Sequence, residues 1–334
     1  MGTWLLTADV LARSRFTVSP LHETVAAMFS LNEPSGPWEQ AFSARHFAAY
    51  EEMLAKHPVR QVLATRSMRP RRGDQPGWVA DYLGPAPTAA GLDLETQLGD
   101  LAREWDDDRI RAALLEVRPG PLPTVMQGGG LTEELVALMR WVWSALIEAD
   151  WPRRRRVLEA DIVSRTSRLA THGWAGVIPT LGAKREWLGG GRFQINRYDL
   201  PERDITAAQL LVFIPVHGAG SWASWEEPDR YAVVYPVTGT LAQTSGPSRD
   251  VLGRLMGRGR AAVLSLLDVP RSPSQLAALT GLPIGAVGNH LKILLGAGLV
   301  LRRRSGREVL YWRTDLADGL VAAAGSPEPA GRPQ

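Results

Sequence analysis

The fold is decided by residues 252–314: LGRLMGRGRAAVLSLLD (252–268), SPSQLAALTG (272–281), LPIGAVGNHLKILLGAGLV (282–300) and LRRRSGREVLYWRT (301–314). Three helical periods and a basic hairpin follow one another with short turns between them. In the third period Val287, Leu291, Leu294 and Leu295 recur at i, i+4, i+7 and i+8 and form one apolar stripe. Gly285, Gly288, Asn289 and Lys292 lie opposite, so that face is small and polar. Pro283 suits a helix start because its missing N–H has no partner there, and Gly281 suits the turn before it. Gly296 and Gly298 close the helix. Leu299–Arg304 and Arg307–Arg313 read as strands around a Ser305-Gly306 turn. This order of elements is a winged helix-turn-helix, in which the third helix enters a major groove and the hairpin reaches the flanking backbone.

The residue types fit double-stranded DNA. Asn289 pairs bidentately with adenine, and Lys292 meets a phosphate or a guanine. Small Gly285 and Gly288 allow close approach, and His290, between the two faces, is a candidate phosphate contact. Ser274 and Gln275, at the start of the second helix, join the candidate DNA contacts. So do Arg302, Arg303, Arg304 and Arg307, which crowd the wing tip, where guanidinium groups suit phosphates or a narrow minor groove. Residues 249–313 hold 11 Lys/Arg against 3 Asp/Glu, whereas the whole chain is only +3. The basic excess is local to this module, as an electrostatic footprint requires.

The segment LTGLPIGAVGNHLKILLGAGLVLRRRSGREVLYWRT (279–314) resembles the winged helix of ArsR/SmtB-type bacterial repressors. Val287, His290, Leu291, Leu294, Ala297, Gly298, Leu299, Val300, Gly306, Arg307 and Tyr311 fall on that family's pattern. Gly288 stands where the family has a recognition-helix serine, and Leu282-Pro283 replaces its capping serine. The resemblance implies a DNA-binding fold without implying the operator. It brings no metal site with it. The chain has no cysteine, and its six histidines are scattered without metal-ligand spacing. No cofactor and no metal are expected.

A winged helix leaves about 245 of the 334 residues for a second domain. Composition is that of a globular protein, at 45% hydrophobic and 22% charged. No membrane span or secretory signal is legible, so the expected compartment is the cytoplasm. The fold class expected is α+β: a mainly helical N-terminal domain with a small antiparallel sheet, then the winged helix-turn-helix. Ala8–Ser14, Leu21–Leu31, Trp38–His57, Leu131–Ala149 and Trp151–His172 read as helices, Thr88–Val117 as two more, and Phe193–Arg197, Leu210–Val216 and Tyr231–Val237 as strands. The boundaries expected are a sensing or dimerising domain over 1–245, the DNA-binding domain over 246–320 and a disordered tail over 321–334, with Thr244–Ser248 as the junction.

Other segments carry less. Arg153–Arg156, flanked by acids, reads as a solvated helical face, Asp106-Asp107-Asp108 as a helix start, and His217-Gly218-Ala219-Gly220 and Gly189–Gly191 as turns. Eleven of the 12 tryptophans precede the junction, and they serve equally as core filler, as interface residues or as the wall of a cavity for a flat organic effector. The phrases TADVLARSRFTVSP (7–20), WPRRRRVLEADIVSR (151–165), LVFIPVHGAG (211–220) and YAVVYPVTGT (231–240) resemble a domain of unassigned function fused ahead of ArsR-type winged helices in bacterial regulators. That resemblance implies a one-chain regulator, and the geometry of half-sites implies a homodimer.

Overall fold

The computed structural model describes residues 2–69, 77–182, 184–218, 220–237, 247–267, 270–305 and 308–325. The fold is α+β, and the chain divides into two compact units, 1–158 with 172–237 and 159–171 with 238–334. The residues expected at the junction fall largely outside the described range.

The N-terminal unit runs β1 (Thr3–Leu5), α1 (Ala8–Arg13), β2 (Arg15–Phe16), α2 (Pro20–Asn32), α3 (Pro37–Lys56), α4 (Pro58–Arg66), β3 (Met68–Arg69), β4 (Trp78–Val79), α5 (Leu94–Glu104), α6 (Asp107–Val117), α7 (Leu131–Leu146) and the two ends of α8 (Trp151–Val177), whose residues 159–171 group with the other unit. Strands β5 (Glu186–Gly189), β6 (Arg192–Gln194), β7 (Arg203–Asp204), β8 (Leu210–Val216), β9 (Trp222–Glu226) and β10 (Arg230–Pro236) follow. Helix starts are capped as the sequence signals: Ser19 accepts from His22 N–H, Asp93 from Thr96 and Asp106 from Arg109. Asp107 accepts from the N–H groups of Gly130, Leu131 and Thr132 and so caps α7. Helix α8 is broken at Gly173, whose φ of 64° is the left-handed region that glycine tolerates.

Helix α2 is the hub. Leu21, Val25, Met28 and Leu31 pack into the helical core with Leu98, Leu114, Leu135 and Leu138, while Ala26 meets Val212, Ile214 and Val234 of the sheet. It is buried on nearly every side, and its polar residues His22, Glu23, Thr24 and Ser30 are buried too.

The sheets correct the antiparallel expectation. Among the described residues two sheets are four-stranded, β5-β6-β1-β7 and β2-β8-β10-β9, and both mix parallel and antiparallel pairs. Strands β8 and β10 are parallel, from Leu210↔Arg230 to Val216↔Pro236, because β9 lies antiparallel along the far edge of β10 and carries the reversal. Both are buried almost throughout, as parallel strands covered on both faces are.

Several tryptophans of this unit pack in or against its core. Trp4 and Trp105 are buried, Trp141 packs toward Tyr50 and Trp143 against Trp151. Among the described residues no single helix is long and apolar enough to cross a membrane.

The C-terminal unit carries α9 (Pro247–Met256), α10 (Arg258–Ser265), α11 (Pro273–Thr280), α12 (Ile284–Gly296), β11 (Val300–Ser305), β12 (Glu308–Arg313) and α13 (Asp315–Gly325). Helix α13 continues past residue 321, where the sequence reading begins a disordered tail. The run Leu320-Val321-Ala322-Ala323-Ala324 favours helix, and Ala317 anchors its first turns in the core. Residues 326–334 lie outside the described range.

Candidate nucleic-acid interface

The helix-turn-helix is built by local chemistry. Ser272 and Gln275 form a capping box: Gln275 N–H donates to Ser272 Oγ, and Ser272 N–H donates to Gln275 Oε1 at 2.8 Å. The Gln275 carbonyl is therefore committed to its own helix, leaving its amide N–H₂ as the group it can offer to DNA. Gly281 ends α11 at φ 70°, and the chain turns by 114° into α12, within the range of helix-turn-helix units.

Helix α12 turns Val287, Leu291 and Leu294 into the core and leaves Gly285, Gly288, Asn289 and Lys292 exposed. Nothing lies within 4 Å of where a Cβ would stand on Gly285 or Gly288, so this face is open. Ser274 is exposed as well. His290 is placed differently from a free phosphate contact. It packs on α10, where a Cβ on Gly259 would come within 2.5 Å of its Nε2. Gly259 thus makes room for the half-buried ring.

The wing strands pair from Val300↔Arg313 to Ser305↔Glu308. Arg302, Arg303 and Arg304 are exposed; Arg307 lies outside the described residues. The wing is tied to the helices by Arg271, for which the sequence carries no signal. Arg271 is 2% exposed, its backbone exchanges two 2.9 Å hydrogen bonds with Tyr311, and its Nε donates to Leu266 O. Arg313 adds a second tie, with Nε 2.7 Å from Asp318.

A second constellation lies in the N-terminal unit. Glu23 of α2 is fully buried. His217 Nδ1 is 2.7 Å from its Oε1, His217 N–H donates to its Oε2 at 3.0 Å, and Arg154 Nη1 donates to its Oε1 at 2.8 Å. Burial pushes the Glu23 pKa up, but His217 and Arg154 outweigh it and bring it to about 2. Arg154, 4% exposed, also lies over the rings of Trp38 and Phe42, which corrects the reading of 153–156 as a wholly solvated face. Its neighbours Arg153, Arg155 and Arg156 are exposed. The triad is an internal brace between α2, α8 and the end of β8. No group of three metal-ligating side chains occurs among the described residues.

Residues 260–303 match the model of a helix-turn-helix domain. The chain is 45% identical over 62 residues to the HTH-type transcriptional regulator CmtR of Mycobacterium bovis and of Mycobacterium tuberculosis. The match covers 19% of this chain and 50% of those relatives, so the chain spans about half their length. No solved structure matches the chain. The matched helix-turn-helix lies in the C-terminal module, which is similar over this stretch to regulators of the ArsR/SmtB type.

Proposed function

We propose that this protein is a sequence-specific DNA-binding transcriptional regulator, a repressor that acts as a homodimer, and not an enzyme. The observation that carries the reading is α12: its apolar stripe is buried while Asn289 and Lys292 stand exposed on an open, glycine-lined face, beside a wing whose Arg302, Arg303 and Arg304 are exposed. Asn289 and Lys292 read bases, Ser274, Gln275 and Arg302–Arg304 hold phosphates, and Arg307 extends that set at the wing tip. One recognition helix covers only a few base pairs, so two copies on a two-fold site supply the specificity. The N-terminal unit controls DNA affinity through an organic effector or a change in its own packing. Thiol chemistry has no part, since the chain holds no cysteine. Selection of genomic fragments by the full chain tests the reading. Enrichment of a common inverted repeat supports it. Equal retention of all fragments, or of none, contradicts it.

A further inference from the structure

A cleft of about 550 Å³ opens in the C-terminal unit, within the size range of small-molecule sites. Its apolar lining comes from Leu267 and Pro270, which follow α10, and from Leu310 of β12. Trp312, half-buried, stands on the same face of β12 as Leu310, because side chains two apart share a face. Arg303 pairs across the hairpin with Leu310 and lines the cleft, as does Arg304.

The charges around the cleft are not equivalent. Arg313 also borders it, but its Nε lies 2.7 Å from Asp318 and that charge is matched. Arg303 is exposed and makes no ion pair among the described residues. The cleft therefore combines an aromatic ring, apolar lining and an uncompensated cation. A wing that only touched phosphates would need the cation and have no use for the apolar lining or the indole. A ligand that uses all three has a planar apolar body and one anionic group.

We propose that this cleft binds a small planar organic anion, with its ring against Trp312 and its carboxylate on Arg303, and that occupancy competes with DNA for the wing. The competition rests on the DNA-binding reading above, since Arg303 and Arg304 serve both partners; the site itself does not. A ligand that binds the DNA-free form alone lowers DNA affinity in proportion to its saturation. This gives the DNA-binding unit a control point of its own, separate from any effector of the N-terminal unit.

The full chain, labelled with fluorotryptophan, is titrated with naphthoate in the absence of DNA, and the Trp312 resonance is assigned as the one that disappears in Trp312→Phe. The expected result is a saturable shift of that resonance, weakened about tenfold or more in Arg303→Gln and for neutral naphthamide, as removal of a charge-assisted hydrogen bond requires. A Trp312 resonance that naphthoate leaves in place, or that naphthamide shifts equally, overturns the site. Naphthoate is then added to a duplex-binding assay at fixed salt. A weaker duplex affinity in the wild type, with little effect on Arg303→Gln, supports competition. Saturation of the Trp312 shift with unchanged duplex affinity overturns competition. If the chain binds no duplex at all, the regulator reading fails while the first titration still decides the site.

Discussion

Arginine does opposite work in the two units. In the N-terminal unit Arg154 is buried against Glu23 and two aromatic rings. In the C-terminal unit Arg302, Arg303 and Arg304 stand exposed on a two-stranded hairpin. A buried guanidinium has lost its water and must be matched by a carboxylate, so it holds helices and strands in place. An exposed cluster keeps its water and its charge, and it exchanges both for phosphates at low cost. Both sets occur as runs in the sequence. Burial, not composition, separates the brace from the binding surface.

The largest effect expected is on the brace. Arg154→Ala leaves the Glu23 carboxylate buried with only His217 beside it, which costs about 3–5 kcal/mol of stability. Denaturant unfolding of the full chain measures this. A loss under about 1 kcal/mol would mean that Glu23 is better screened than its burial implies.

Next comes a pH effect confined to the N-terminal unit. Burial lowers the His22 pKa from 6.5 to about 4. The folded form refuses a proton that the unfolded chain accepts, so stability is present above pH 6.5 and falls as pH drops toward 4. The slope contributed approaches about 1.4 kcal/mol per pH unit. Asp81 opposes it: burial, with Glu116 and Glu226 nearby, raises its pKa from 3.8 to about 6, so its contribution is held at low pH and lost as pH rises through 6. His22→Phe should flatten the fall between pH 6.5 and 4, as read by amide exchange in α2 and β8. An unchanged fall assigns the acid sensitivity elsewhere.

A smaller and more selective effect belongs to the recognition face. Asn289→Ala should lose about 1–3 kcal/mol on the preferred site and relax preference at one base position. Equal weakening of preferred and random duplexes would assign base reading to other residues.

What is legible in the sequence is what short-range periodicity controls. Helix α12 is readable because Val287, Leu291 and Leu294 recur at helical spacing, with small and polar residues opposite. The wing is readable from two strand-like runs around a turn. The pattern Ser272-Pro273-Ser274-Gln275 also contains its capping box, although Gln275 invites reading as a DNA contact. Long-range partners are hidden. Residues 23, 154 and 217 give no local sign that they meet, and acids around 153–156 point to solvent for all four arginines. The parallel pairing of β8 and β10 is equally hidden, since an apolar run does not state its partner. The approach of the His290 ring to Gly259 on another helix is hidden too.

The central claim is that the exposed wing arginines and α12 form a DNA-binding surface. The most direct test is the salt dependence of duplex affinity for the wild type and for a variant with Arg302, Arg303 and Arg304 all replaced by alanine. The account predicts a log–log slope shallower by about 0.9 for each phosphate that the wing no longer neutralises, on every duplex sequence. An unchanged slope in the triple variant would contradict it and remove the wing from the interface.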